Sequence, residues 1–271
     1  MPELPEVETT CNGISPFLTA QTIKDVVVRV NKLRWEIPTD IHKHLSNQQI
    51  IKVSRRAKYI IIELLKGHII MHLGMSGHLR VLREKLPAGK HDHIDLILAN
   101  GNILRYNDPR RFGAFVYTEE SIDQFRLLEK LGPEPISAQF DSNYLLASCK
   151  NKRLPIKTHI MNQATVVGVG NIYASEALFT AKINPLRAAC SINDTECSDI
   201  TQAIKDILTA AIEQGGTSFS DYINSDGKPG YFSQQLQVYQ RAGLPCKKCN
   251  TVIENIRIGQ RSSFYCPGCQ K

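Results

Sequence analysis

The chain opens Met1-Pro2-Glu3-Leu4-Pro5-Glu6, and its second residue has the least common chemistry. With Met1 removed, Pro2 becomes a free secondary amine. An α-amino group titrates near ~7.7–8.0, which leaves roughly a tenth to a fifth of it neutral at pH 7, whereas a lysine at ~10.4 keeps almost none. Such an amine is a ready nucleophile toward a carbonyl-like carbon and can form an iminium. At a helix start it also meets the positive end of the dipole, which disfavours its protonation. Glu3 and Glu6, three apart, share a helical face near that amine, a spacing suited to acid–base work. The same residues also suit an ordinary helix start, because Pro and Glu are both favoured in a first turn.

A second chemical signal lies at the other end. Four of the eight cysteines fall as Cys246-x2-Cys249 and, sixteen residues later, Cys266-x2-Cys269. Two such knuckles each turn two thiolates toward one tetrahedral metal, the pattern of a structural zinc site. A disulfide pair is the alternative, but the acidic, Pro-rich N-terminus is no secretory signal. Four cysteines leave zinc no open position, so one Zn²⁺ here holds a fold and does no chemistry. Cys11, Cys149, Cys190 and Cys197 show no pairing pattern.

Charge is spread unevenly. The formal net charge is +7, yet residues 241–271 alone carry six Lys+Arg against one Asp+Glu. A basic terminal module points to a polyanion, most simply nucleic acid. With 42% hydrophobic and 22% charged residues the composition is that of a globular chain. The length of 271 residues suits two domains with a small appendage. The longest apolar run, 59–65, is strand-sized, so a membrane span is not expected.

The elements that must position these groups change character along the chain. After a short helical start, runs at 50–53, 59–65, 68–72, 79–82, 96–99, 103–106 and 113–118 are short and β-branched or apolar. Asn100-Gly101 between two of them is a strong hairpin signal. This half reads as a β-sandwich. Gly132-Pro133-Glu134-Pro135 breaks the chain as a linker. Helical spacing follows: 156–163 and 172–181 joined by Thr165-Val166-Val167-Gly168-Val169-Gly170-Asn171, then a face of Ile200, Ile204, Ile207, Leu208, Ala211 and Ile212 that Gly215-Gly216 stops. A Gly-containing connection into a helix N-terminus suits a phosphate contact, and equally an ordinary helical hairpin. The segment 215–232, rich in Gly, Ser, Asp and Asn, reads as a long irregular loop.

In order from residue 1 to the C-terminus, the chain carries Met1-Pro2-Glu3-Leu4-Pro5-Glu6-Val7-Glu8, Arg55-Arg56-Ala57-Lys58-Tyr59, His72-Leu73-Gly74-Met75-Ser76-Gly77, Asp108-Pro109-Arg110-Arg111-Phe112-Gly113, Gly168-Val169-Gly170-Asn171-Ile172-Tyr173 and the four-cysteine finger. Together these resemble the bacterial formamidopyrimidine-DNA glycosylase family. The resemblance implies an α+β multidomain fold: an N-terminal β-sandwich with an N-terminal helix over 1–131 as the catalytic domain and a linker at 132–137. A helical helix–two-turns–helix DNA-binding domain with a base-recognition loop would follow over 138–240, and a zinc finger over 241–271, with DNA in the cleft between lobes.

It further implies a base-excision-repair glycosylase and AP lyase that removes oxidised purines, notably 8-oxoguanine and formamidopyrimidines. Pro2 would attack C1′ and displace the base, Glu3 would serve proton transfers and sugar-ring opening, and Lys58 would assist. β,δ-Elimination from the iminium would then nick the strand. Met75, Arg110 and Phe112 would fill the vacancy left by the extruded base, for which a flexible apolar chain, a planar cation and an aromatic wedge are apt. Asn171, Arg261, Lys157 and His72 would hold phosphates, and the 215–232 loop would close over the base. The partner implied is double-stranded DNA with an oxidised base or abasic site, bound by a monomer in the bacterial cytoplasm at the nucleoid.

Taken singly, several of these residues have plainer readings: a core Met and Phe, a solvated Arg, a satisfied core His. His91-Asp92-His93 places two histidines on one strand face, but two ligands make an incomplete metal site, and the motif is read as structural. At Cys11-Asn12 the relatives commonly carry basic residues, so a peripheral contact would be weakened. Two other readings stay in play: an endonuclease VIII-type enzyme for oxidised pyrimidines, against which Leu4 and the Met75/Arg110/Phe112 set speak, and a zinc-finger DNA-binding protein without activity.

Overall fold

The computed structural model describes residues 2–217 and 232–271. The chain divides into two compact units, Met1–Glu129 with Gln214–Tyr231, and Lys130–Glu213 with Phe232–Lys271.

The first unit begins with helix α1 (Leu4–Leu18). Glu3 is its extended N-cap and forms a capping box with Glu6, while Pro5 sits in the first turn where its missing N–H costs nothing. Leu4, Val7, Cys11, Ile14 and Leu18 recur at helical spacing and are all buried. Cys11 is therefore a core residue, with its thiol on the Ser54 carbonyl (3.4 Å) and its pKa pushed up to about 12, chiefly by burial. Of the Cys11-Asn12 pair, only Asn12 faces solvent, so any peripheral contact weakened there falls to that position.

Two four-stranded antiparallel sheets follow. β1 (Ile23–Val28), β6 (Asp92–Leu98), β7 (Ile103–Asn107) and β5 (His78–Leu82) form one, in that order. β2 (Ile50–Arg56), β3 (Tyr59–Leu64), β4 (His68–His72) and β8 (Ala114–Thr118) form the other, and a short helix α2 (Ile41–Leu45) lies between β1 and β2 in the chain. Alternate residues such as Ile60, Ile62, Ile69 and Met71 of one sheet and Leu96, Leu98, Leu104 and Tyr106 of the other share one core with α1. The β-sandwich expected from the strand runs is present. β6 and β7 pair through Ile97↔Ile103, with Gly101 at φ +90° in the turn beside Asn100.

The second unit carries α3 (Ser142–Cys149), α4 (Ile156–Ile160), α5 (Asn171–Thr180) and α6 (Asp194–Glu213). α4 stops three residues short of the expected 163, because Asn162 begins two tight turns: its carbonyl accepts the N–H groups of Thr165 (2.9 Å) and Val166 (3.1 Å). α6 starts six residues before Ile200, where Asn193 and Glu196 cap each other reciprocally (2.9 Å each way). The 132–137 segment is hydrogen-bonded into this unit, Gly132 N–H to Gln163 and Val167 N–H to the Pro133 carbonyl. Past α6, Gly215 and Gly216 both have positive φ. The hairpin β9 (Glu254–Ile258) and β10 (Arg261–Tyr265) completes the unit. Among the described residues no helix is long and apolar enough to cross a membrane.

Candidate active site and nucleic-acid interface

In the first unit Pro2, Glu3 and Lys58 are all buried. Lys58 stands in the two-residue turn of the β2–β3 hairpin, inside the Arg56↔Tyr59 pair, next to Ala57 at φ +54°. Arg55 fixes that turn: its Nε donates to Glu8 of α1 (2.6 Å) and its Nη1 to the Ala57 carbonyl (2.9 Å). One guanidinium thus ties the helix that begins beside Pro2 to the hairpin that presents Lys58. Glu6, expected beside Glu3 as an acid–base group, is committed instead. Its Oε2 accepts the Glu3 N–H (2.8 Å), and its Oε1 accepts the backbone N–H (2.8 Å) and hydroxyl (2.9 Å) of Thr217. It anchors the chain terminus and the start of the 215–232 loop to each other. Of that loop, residues 218–231 lie outside the described residues.

His72 ends β4 half-buried, its ring edge 5.0 Å from Tyr59. Burial, then the charges of Lys58 and Arg34, lower its pKa to about 4, so the ring is neutral at pH 7. Its Nδ1 accepts the Gly74 N–H (2.9 Å), which leaves the ring proton on Nε2 as a donor. A neutral histidine of this tautomer can hold a phosphate by hydrogen bonding, without charge. Arg34, Gly74, Met75 and Phe112 line a cavity of about 340 Å³ with it.

Met75 is 38% and Phe112 47% exposed, unusual for such apolar side chains and apt for insertion into a base stack. The Arg110 guanidinium lies 4.7 Å from the Phe112 ring centroid. His93 meets the Asp108 carbonyl through Nε2 (2.8 Å), and Asp92 accepts from Arg80 (3.1 Å), Asn107 (2.7 Å) and Gly89 (2.8 Å). The His91-Asp92-His93 motif therefore works inside the β-sandwich framework.

In the second unit the Lys157 side chain is buried, and its ammonium donates to Asn171 Oδ1 (2.8 Å) and Ser263 Oγ (2.7 Å). Asn171, the first residue of α5, donates through Nδ2 to the Ser262 carbonyl (2.9 Å). α4, α5 and β10 thus converge on one polar cluster. Arg261 is exposed at the start of β10 and lines, with Lys157, Thr158 and Met161, a pocket of about 350 Å³. An anion seated there would meet the side chains of Lys157 and Arg261 and the hydroxyl of Thr158.

The four zinc-motif sulfurs lie within 4.8 Å of one another, Cys249 to Cys266 at 3.4 Å and Cys246 to Cys269 at 3.9 Å. Zn–S bonds of ~2.3 Å in a tetrahedron demand S···S separations of about 3.8 Å, so the donor set fits one zinc ion. A Cβ on Gly268 would lie 2.5 Å from the Thr251 hydroxyl and 3.1 Å from the Cys249 sulfur, so the second knuckle has room only for glycine there. Glu176, buried on α5, accepts the N–H groups of Gln237, Val238 and Tyr239 (2.8–3.0 Å) and fixes the chain entering the finger.

Three site features had no sequence signal: Arg34, whose N–H donates to Gly113 (2.9 Å), Thr217 as a partner of Glu6, and Ser263 as a partner of Lys157. All three are long-range pairings. Of the remaining cysteines, Cys149 and Cys197 are buried, and Cys149 is held below the ordinary thiol range chiefly by a hydrogen bond from Cys197. Cys190 is exposed.

Three family models match in order: the formamidopyrimidine-DNA glycosylase N-terminal domain at residues 1–115, its H2TH domain at 131–222, and the zinc finger found in FPG and IleRS at 243–271. A formamidopyrimidine-DNA glycosylase of Enterobacter sp. is 54% identical over 271 residues, covering 100% of both chains. Among solved structures, MutM (Fpg) from Thermus thermophilus is 35% identical with a TM-score of 0.88 over 99% of this chain and 98% of that one. A Lactococcus lactis Fpg mutant in complex with Fapy-dG containing DNA is 31% identical with a TM-score of 0.90, covering 100% of each.

Proposed function

Since the chain belongs to the formamidopyrimidine-DNA glycosylase family, we infer that it is a base-excision-repair enzyme that removes oxidised purines, 8-oxoguanine and formamidopyrimidines, from DNA and then cleaves the strand as an AP lyase. Its partner is double-stranded DNA containing an oxidised base or abasic site. It acts as a monomer in the bacterial cytoplasm, at the nucleoid. One zinc ion is held by Cys246, Cys249, Cys266 and Cys269.

The chemistry starts at Pro2. After loss of Met1 its nitrogen forms a bond to C1′ as the glycosidic bond breaks, and the base leaves with a proton. Ring opening gives an iminium, whose electron demand acidifies the C2′ hydrogen; loss of that proton expels the 3′ phosphate and a second elimination expels the 5′ phosphate. Glu3 moves the protons of ring opening. Lys58, presented by the hairpin that Arg55 ties to α1, assists at the site and meets the DNA strand. Met75, Arg110 and Phe112 take the place of the extruded nucleotide, and His72, Lys157, Asn171 and Arg261 hold phosphates.

The observation that carries this reading is the burial of Pro2, Glu3 and Lys58 beside a helix start braced by Glu6 and Arg55. Borohydride trapping on an 8-oxoguanine duplex tests it. We expect an intact-protein mass without Met1 and a reduced sugar linked to Pro2. Mapping of the sugar to Lys58, or no adduct at all, overturns the assignment. Preference for thymine glycol over 8-oxoguanine would move the enzyme to the oxidised-pyrimidine branch.

A further inference from the structure

Met75 stands on one loop, Arg110 and Phe112 on another, and neither loop by itself determines where its side chains point. The first, 73–77, closes through the Gly77 N–H on the Leu73 carbonyl (2.8 Å). The second, 108–113, connects β7 to β8. Between them lies the carboxylate of Asp108, 0% exposed. Its Oδ1 accepts the Ser76 hydroxyl of the first loop (2.9 Å) and the Arg110 N–H of the second (3.3 Å). Its Oδ2 accepts the Gly113 N–H (2.8 Å) and the hydroxyl of Tyr106 (3.4 Å), which also reaches the His72 carbonyl (3.2 Å).

The two loops touch backbone to backbone. A Cβ on Gly74 would lie 2.6 Å from both the Gly113 nitrogen and the Phe112 carbonyl carbon, and one on Gly113 would lie 1.7 Å from the Tyr106 hydroxyl. No side chain fits at Gly74 or Gly113, and the Asp108 carboxylate is the polar group that both loops share. Each carboxylate oxygen thus faces one backbone N–H, Arg110 on Oδ1 and Gly113 on Oδ2, together with one hydroxyl.

We propose that Asp108 is a positioning residue that locks the two loops into a single wedge, and that it thereby governs extrusion of the damaged nucleotide and leaves the chemistry on the extruded sugar untouched. This rests on the reading of Met75, Arg110 and Phe112 as the inserted set. A wedge must bear the restoring force of the base stack, and loops held by separate anchors would yield independently. In Asp108→Asn the amide nitrogen meets a backbone N–H of the second loop in either orientation, Arg110 in one and Gly113 in the other, so that loop loses part of its hold.

Two substrates separate the steps. A duplex with 8-oxoguanine opposite cytosine requires extrusion; a single-stranded oligonucleotide with a preformed abasic site requires none. Single-turnover excision on the first and strand nicking on the second are measured for Asp108→Asn and Ser76→Ala, with Met75→Ala and Phe112→Ala alongside. Fluorescence of 2-aminopurine placed next to the lesion reports unstacking. We expect Asp108→Asn to lose tenfold or more on the duplex together with the fluorescence rise, and to keep single-strand nicking within twofold; Ser76→Ala follows with a smaller loss. Equal losses on both substrates would make Asp108 a general scaffold residue and overturn the proposal. If the Met75 and Phe112 variants are defective on the duplex while Asp108→Asn and Ser76→Ala behave as wild type, the proposal alone fails. If the Met75 and Phe112 variants excise normally, the wedge reading fails and takes the proposal with it. Should Asp108→Asn not fold, Ser76→Ala decides on the same criteria.

Discussion

His72 can be tested by a titration whose outcome the structure fixes in sign and size. Burial, with Lys58 and Arg34 adding to it and Asp108 opposing, brings its pKa from 6.5 to about 4. In the unfolded chain the ring takes a proton below about 6.5. Between these two values only the unfolded state binds the extra proton, so stability falls as pH drops from 6.5 to about 4 and is complete above 6.5. At ~1.36 kcal/mol per pKa unit the full loss is about 3 kcal/mol, a large part of a domain's ~5–15 kcal/mol. The assay follows the His72 ring protons by NMR from pH 8 to 4 and compares urea midpoints with His72→Gln, whose amide can replace both hydrogen bonds but does not titrate. The ring signal should stay flat until below pH 5, and wild-type stability should fall relative to the variant between pH 6.5 and 4. Addition of DNA should raise the pKa, since a phosphate on Nε2 favours the imidazolium. A midpoint near 6.5 in the free protein refutes the burial argument; an unmoved value with DNA bound removes His72 from the phosphates.

Replacement of Cys249 by Ser should abolish stoichiometric zinc, unfold the finger and weaken DNA binding at least tenfold, while a circular dichroism transition for the β-sandwich persists; unchanged zinc content by metal analysis would contradict the ligand set. Lys157→Met should lower stability by about 1–3 kcal/mol, because it takes the donor from Asn171 Oδ1 and from the buried Ser263 hydroxyl. It should also lower DNA affinity and reduce the slope of log affinity against log salt by about 1. An unaltered salt slope would confine Lys157 to holding Asn171 and Ser263.

Much of the architecture was legible because it is local. The β-branched runs, Asn100-Gly101 and the two cysteine knuckles specify their structures within a few residues, and the apolar face of α6 needs only its own helix. The reciprocal capping of Asn193 and Glu196 was readable as well, as an Asn with Glu three residues on, and would have placed the start of α6 correctly. Cys11 shows the opposite case. The comparison with relatives points to a peripheral contact there, but its place about two turns after Leu4 on the Leu4, Val7, Ile14, Leu18 stripe makes it core.

The site itself divides along the same line. Pro2, Glu3, Lys58, Met75, Arg110 and Phe112 stand in short motifs that name them, whereas the groups that orient their loops and helix come from remote parts of the chain. Glu6 reaches Thr217 across 211 residues, Lys157 reaches Ser263 across 106, and Asp108 joins Ser76 across 32. No period or motif connects such pairs, because the sheet register and the β9–β10 hairpin bring them together only once folded. Each pairing also changes what a residue can do. Lys157 becomes a buried donor instead of a solvated cation, Glu6 a brace instead of a proton carrier, and His72 a neutral donor instead of a charge. Residue type thus determines which chemistry is available at a position, and the long-range partner selects which part of it is used.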